Sequence, residues 1–302
     1  MSIVLALLID RWWGEPPARL HPVVWMGSYL KRVGRGLPDR SPGWAFILGT
    51  AFWLVGAVLT AAIYGYAGFA FEKLPPWLNI LLTALVLKPL FALRMLLAEV
   101  GAVEQALGES IDSGRARLSM IVSRDTSQLD AHEIRESSLE SLAENLSDSV
   151  VAPLFWFALF GLAGAAVYRF SNTADAMWGY RGRWEWAGKC AARADDSLNY
   201  IPARITALGL LLTGPHRVSG LRRLPREAAR TASPNSGWPM GALALSLGVC
   251  LRKPVTYELN ADGSAPTAAD TAIALRRAEI TAWAIAALMS IGTLWLRGTG
   301  HA

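Results

Sequence analysis

An all-α integral membrane protein is the fold class this sequence predicts: a helical bundle of about four to six membrane segments with a polar helical insertion. Three observations predict it. Of 302 residues, 53% are hydrophobic and only 18% charged, outside the range of an ordinary soluble domain. Runs without a single charge extend from Ser41 to Phe71 and from Ser149 to Tyr168. Thirteen tryptophans are present, and Trp44, Trp77, Trp156, Trp178, Trp238 and Trp295 lie near ends of apolar runs, where Trp anchors a membrane interface or packs in a helical core.

The first span is Trp44–Phe71, since a crossing needs roughly 20 apolar residues. A second runs from Pro76 to about Leu97. Lys88 and Pro89 interrupt it, which predicts a kink and a cation that faces protein or water instead of lipid. From Ala98 to Met120, Val100, Val103, Leu107 and Ile111 keep a helical period among acidic residues, so the chain continues as a helix outside the bilayer. Asp130 is placed to cap the next helix, on which Glu136, Glu140, Glu144 and Asp148 recur every four residues. Like charges at that spacing repel, and the row runs into apolar sequence where solvation fails, so it calls for a cation or a basic partner. Residues 98–148 thus form a cytoplasmic helical insertion within a single membrane domain, 1–302. Ser149–Tyr168 either spans once or, through Gly161-Leu-Ala-Gly164, turns back as a re-entrant hairpin. Apolar runs at Ser197–Leu212, Pro239–Leu251 and Ile280–Leu296 complete the bundle, with a polar loop at Asn260–Ala269.

The net charge is +5. Arg217, Arg222, Arg223, Arg226 and Arg230, balanced only by Glu227, mark a cytoplasmic loop by the positive-inside rule. The cluster is short and lacks interleaved aromatics, which excludes a nucleic-acid partner. Cys190 and Cys250 have no metal or redox spacing, and no disulfide framework is expected. Ile3–Ile9 is apolar but lacks a basic n-region, so no cleavable signal is expected.

Several cassettes carry chemistry. Asn172, Asp175, Tyr180 and Arg181 offer an amide, a carboxylate, a phenol and a cation in one stretch. Asp195, Asp196, Asn199, Tyr200 and Arg204 repeat that recipe. Adjacent carboxylates beside a membrane need Mg²⁺, an arginine or a proton, unless one of them merely caps a helix. Ser233-Pro-Asn235-Ser236-Gly237 opens an apolar run whose first turn suits Pro239; free N–H groups at such a helix start can cradle an anion or be plainly capped. No Walker A sequence is present.

Taken together, these pieces resemble the CobD/CbiB family of cobalamin biosynthesis. The resemblance rests on Asp10…Gly14-Glu15-Pro16-Pro17…His21-Pro22, Arg124-Asp125-Thr126-Ser127, Glu140-Ser-Leu-Ala-Glu144-Asn145-Leu-Ser-Asp148, Ala152-Pro153-Leu-Phe-Trp156, Tyr168-Arg169…Asn172-Thr173…Asp175…Gly179-Tyr180, Asp195-Asp196…Asn199-Tyr200-Ile-Pro-Ala-Arg204 and Ser233–Pro239. The order is collinear and densest from 124 to 240.

The resemblance implies a multi-pass enzyme of the inner (plasma) membrane, with its site facing the cytoplasm. It implies the adenosylcobinamide-phosphate synthase reaction: adenosylcobyric acid, the corrinoid substrate, is joined to (R)-1-amino-2-propanol phosphate or a related amino alcohol by an ATP-dependent ligase. Mg²⁺ is the expected cofactor and ATP the cosubstrate. Other late enzymes of the pathway, and a second copy of the chain, are expected partners beside the lipid bilayer. Charge assigns the roles. Glu140, Glu144, Asp148 and Asp175 are candidate metal ligands; Asp125, Glu144, Asp195 and Asp196 are candidate catalytic groups. Arg124, Thr126, Ser127, Asn145, Asn172, Tyr180, Arg181, Asn199, Tyr200, Arg204, Ser233, Asn235, Ser236 and Gly237 would bind substrate or phosphate. The rival readings are a membrane sensor resembling AmpE and a corrinoid transporter; the full set of polar cassettes argues against the first, and the lack of internal repeats against the second.

Overall fold

Twelve α-helices make up most of the described structure, a computed structural model that describes residues 1–215, 217–253 and 255–299. In order they are α1 Ser2–Trp13, α2 Pro22–Val33, α3 Pro42–Glu72, α4 Pro76–Leu87, α5 Leu93–Glu109, α6 Ile111–Leu118, α7 Ala131–Leu146, α8 Ala152–Trp178, α9 Lys189–Leu212, α10 Arg217–Ala228, α11 Gly237–Leu247 and α12 Ala268–Thr299. By length and composition three helical stretches could cross a membrane: Pro42–Glu72, Pro76–Glu109 and Ala131–Trp178. The Trp295 side chain lies outside the described residues. Two compact units divide the chain, one of Met1–Ala92, Ala152–Asn199 and Ala286–Ala302, the other of Leu93–Val151 and Tyr200–Ile285.

In the first unit α3 packs along α8. The buried stripe of α3 is Ala45, Gly49, Gly56, Ala57 and Thr60, small residues that let backbones approach closely. A Cβ at Gly49 would strike the Ala187 carbonyl, and one at Gly56 the Phe170 ring. Tyr29 Oη donates to the Phe52 carbonyl at 2.8 Å and ties α2 to the same helix. Outside that stripe Leu54, Val58, Ile63, Tyr66 and Phe69 are exposed, an apolar surface suited to lipid. Trp44 and Trp77 are exposed at the starts of α3 and α4, as interface anchors require. Trp178 does not follow: it is buried in the core, stacked on Trp184 with ring centroids 5.9 Å apart.

The second apolar stretch is broken, not merely kinked. α4 ends at Leu87, one 3₁₀ turn holds Lys88–Leu90, and Phe91 is extended before α5 begins. A sharper interruption lies inside α8, where Phe160 (φ −130°, ψ 18°) and Gly161 (φ 62°, ψ −153°) leave the helix. The chain reverses there. Residues eight apart in a continuous helix are separated by about 12 Å, yet a Cβ on Gly164 would collide with the Trp156 carbonyl and sit 2.7 Å from the Phe160 Cβ. Both arms then fasten to α9: Trp156 Nε1 donates to the Leu198 carbonyl at 3.0 Å, and Tyr168 Oη to Asn199 Oδ1 at 2.8 Å.

The second unit contains the predicted 98–148 insertion packed with residues 200–285. Asp130 caps α7 in a full capping box with Glu133, as its position in the sequence suggests. α7 passes at its end into a π-turn, Ser147–Val151, stitched by Asn145, which donates to the Ser141 carbonyl at 3.0 Å and accepts from Ser149 at 3.3 Å. One correction to the all-α expectation is a two-stranded antiparallel hairpin, β1 Leu251–Lys253 with β2 Tyr257–Leu259. Three-residue strands carry too little alternation to stand out from a loop.

The Phe160–Gly161 turn gives a direct test. Gly161 occupies a backbone region nearly restricted to glycine, so Gly161→Ala should cost about 1–3 kcal/mol. The expected result is a lower thermal midpoint in detergent, with Gly36→Ala, also at positive φ but in an exposed loop, as the comparison.

Candidate functional site

Carboxylates gather at two places in the first unit. The first is built on α8 and α9. The sequence places Asp195 and Asp196 near a helix start, but α9 begins at Lys189, so both lie inside it and neither is an N-cap. Asp195 is buried and accepts from Asn172 Nδ2 at 3.3 Å and from Asn199 Nδ2 at 3.0 Å. Asn199 in turn accepts from Tyr168, so amide and phenol hold the carboxylate in one orientation. Asp175 is one turn along α8 from Asn172, and a Cβ at Gly179 would collide with its carboxylate; the glycine makes room for it. Burial pushes the Asp195 carboxyl up to about 7, the Asp175 charge adds to the rise, and the two amide bonds oppose it. Asp196 is also raised by burial, with Arg193 opposing.

The second place was not assembled by sequence reasoning. Lys88, nearly sealed from solvent, lies 3.1 Å from Asp10 Oδ1 and 2.7 Å from Glu15 Oε1. Glu15 Oε2 is 3.0 Å from His21 Nε2, while His21 Nδ1 accepts the Val23 N–H at 3.3 Å and caps α2. That cap leaves Nε2 as the protonated nitrogen, donating to Glu15. Lys88 was legible as a cation that faces protein or water instead of lipid; its partners were not.

In the second unit the first two carboxylates of the acidic row find basic partners. Glu136 is fully buried and meets Arg252 of β1 at 3.1 Å; Glu140, 2% exposed, meets Arg124 at 2.6 Å, and Arg124 also donates to Ser137 at 3.0 Å. Glu144 and Asp148 follow on the same helix and the π-turn, both half-buried. The other residues of the Arg124 cassette fold locally: Asp125 accepts the Ser127 N–H at 2.9 Å in an exposed turn, and Thr126 Oγ1 donates to the Arg115 carbonyl at 3.1 Å. Tyr180 and Arg181 are exposed in the loop after α8.

Arg204 is the hub of a third group. Its guanidinium lies 3.5 Å from the Tyr200 ring centroid and 4.5 Å from that of Trp238, and it donates to Asn235 Oδ1 at 3.2 Å and to the Pro234 carbonyl at 3.3 Å. Ser233 Oγ accepts the Asn235 and Ser236 N–H groups at 3.2 Å each, which satisfies two donors of the expected cradle from within. Gly237 starts α11 pressed against the Ala228 carbonyl, where no side chain fits.

Among the described residues no three His, Cys, Asp or Glu side chains come close enough to hold a metal by themselves. Mg²⁺ commonly takes only one or two carboxylates and completes its shell with water and substrate phosphate. Asp175, half-buried on α8 and close enough for its charge to be felt at buried Asp195, fits that donor set; Glu140 already has Arg124 against one oxygen.

Two predictions follow from these groups. Lys88→Met leaves buried Asp10 and half-buried Glu15 without their cation and should cost about 3–5 kcal/mol, while adding Asp10→Asn and Glu15→Gln should recover much of the loss in thermal unfolding. For Asp195, the folded carboxyl holds its proton to higher pH than the unfolded one, so the folded state is favoured at low pH and loses stability as pH rises from about 4 to about 7. Unfolding midpoints of Asp195→Asn relative to wild type should therefore rise across that window and stay flat below it.

Comparison with known proteins agrees along the whole chain. The family model described as CobD/Cbib protein matches residues 3–286. The chain is 42% identical to the Probable cobalamin biosynthesis protein CobD of Thermococcus kodakarensis over 97% of its own length and 96% of the relative's. It is 39% identical to the cobalamin biosynthesis protein CobD of Chromobacterium violaceum over 100% and 99%, and 36% identical to that of Dehalococcoides mccartyi over 87% of each. No solved structure matches. The likeness over residues 3–286, and to relatives of matching length at 36–42% identity, shows that the chain belongs to the CobD/CbiB family.

Proposed function

We propose that this chain is the adenosylcobinamide-phosphate synthase of cobalamin biosynthesis, joining adenosylcobyric acid to (R)-1-amino-2-propanol phosphate, or a related amino alcohol, through an amide bond. Family membership over residues 3–286 is the observation that carries the reading, and it makes the protein an enzyme of that pathway. The finer mechanism is an ATP-dependent ligation. A carboxylate does not react with an amine unaided. The substrate carboxylate attacks the terminal phosphorus of ATP, ADP leaves, the amine attacks the acyl carbon, and inorganic phosphate departs with the proton lost to a base.

The chain's own groups suit these demands. A base must remove a proton from an ammonium near neutral pH, and Asp195, raised to about 7, is matched to that task. Asn172 and Asn199 fix its orientation. Asp175 is the carboxylate best suited to Mg²⁺, which when bound would neutralise phosphate charge. Arg204, held between two aromatic rings, presents a guanidinium suited to a phosphate or carboxylate. These assignments shift the metal set away from Glu140 and keep Asp195 and Asp196 as catalytic candidates.

Three apolar helical stretches support a membrane-associated protein. A multi-pass inner-membrane topology with a cytoplasmic site is the finer reading, supported by the arginines of α10. The reversal at Phe160–Gly161 supports a re-entrant hairpin that returns to the side it entered.

Two measurements test the function. Strains lacking the gene should grow on cobinamide but not on cobyric acid; loss of uptake for both would indicate a transporter instead. In membranes, Asp195→Asn and Asp196→Asn should each lower product formation by about 10²–10⁴-fold with unchanged membrane insertion. The wild-type rate should climb as pH rises through about 7, because only the ionised Asp195 accepts a proton. Full activity in both variants would overturn the assignment.

A further inference from the structure

The basic segment after α9 is not absorbed by the proposed chemistry, and its geometry has an order of its own. α10 lies on its neighbours through Gly220, Leu224, Glu227 and Ala228, all buried. A Cβ at Gly220 would press on the Leu211 side chain at 2.8 Å, and one at Gly241 of α11 would meet Leu224 at 3.4 Å. The opposite half is open and divided lengthwise. At 3.6 residues per turn, Leu221, Pro225 and Val218 fall on one arc of about 60°, and Arg222 and Arg226 on the arc beside it. Val218 is 67% and Leu221 45% exposed.

The two central arginines differ from their neighbours. Arg223 reaches Asn260 at 2.9 Å, with Asp262 at 3.6 Å, and Arg230 reaches Glu227 at 3.3 Å. Arg222 and Arg226 are exposed and have no hydrogen-bond or ion-pair partner among the described residues. An exposed helix face that is apolar along one edge and cationic along the next matches a bilayer interface: apolar side chains enter the acyl boundary while guanidinium groups rise to headgroup phosphates. The end of α9 adds to it, since Leu208 and Leu212 are 44% and 47% exposed just before α10. A purely acidic protein partner would leave Val218, Leu221 and Leu212 unexplained.

We propose that α10 is an in-plane helix that docks on an anionic lipid surface, with Val218 and Leu221 in the acyl boundary and Arg222 and Arg226 on lipid phosphates. This membrane contact adds to the three apolar stretches and depends on lipid charge, which theirs does not. The inference is independent of the reaction proposed above, because none of the four residues is assigned to it.

Hydrogen exchange of the full-length protein in nanodiscs tests it. Exchange over residues 217–228 is compared between phosphatidylcholine alone and phosphatidylcholine mixed with phosphatidylglycerol. Amides of α10 should exchange more slowly in the anionic discs, by about fivefold for each arginine engaged, and high salt should erase the difference. Arg222→Gln with Arg226→Gln should erase it without salt, and Val218→Ser with Leu221→Ser should also reduce it although the charge is unchanged. Equal exchange in both discs overturns the proposal. So does full protection in the serine variant, which would leave charge alone at work, or equal protection by inorganic phosphate added to neutral discs, which would indicate a soluble anion site.

Discussion

Charge that leaves water must find an opposite charge, a hydrogen-bond donor or a proton, and in this apolar chain that requirement organises most of what is not simply greasy. Burying an isolated carboxylate or ammonium costs several kcal/mol, more than a domain of ordinary stability can spare many times over. Lys88 is therefore closed between Asp10 and Glu15, Glu136 against Arg252, Glu140 against Arg124, and Glu104 against Arg135, whose Nη2 lies 2.8 Å from it. Each pair links segments distant in sequence; Arg252 and Glu136 are 116 residues apart. The pairs thus act as cross-ties as well as neutralisation.

Asp195 obeys the same rule in another way. It has donors instead of a cation, and amides neutralise no charge, so the group keeps its proton to unusually high pH. A carboxyl left in that condition is costly to the fold and useful to a reaction that must take up or release a proton near neutrality. The paired glutamates and the amide-held aspartate are two answers to one constraint. The first ties segments together and the second leaves a carboxyl that titrates near neutrality.

How much of this could be read beforehand depends on the range of the signal. The capping box at Asp130–Glu133 and the turn at Gly161 are local, and spacing or residue type announced them. The need of the α7 row for a partner was legible because repulsion at four-residue spacing is also local. The identity of the partner was not, since Arg252 sits on a strand of three residues that no periodicity marks. An N-cap likewise stayed open as the alternative reading of one of Asp195 and Asp196, and α9, beginning at Lys189, removes it. The composition of Ser233–Gly237 suits either an anion cradle or plain capping, and Ser233 Oγ takes two of its N–H groups. Tertiary distance was the missing quantity for Glu136 and Arg252, and a helix boundary for the two aspartates.

The helical reversal in α8 also sets an order of events in time. Trp156 on one arm and Tyr168 on the other are both fastened to consecutive residues of α9, Leu198 and Asn199. Trp156 is made 42 residues before its acceptor. At typical synthesis rates that interval is roughly 2–8 s, during which the reversal at Phe160–Gly161 has neither of its bonds to α9. The latch that closes it is thus a late arrival from the ribosome.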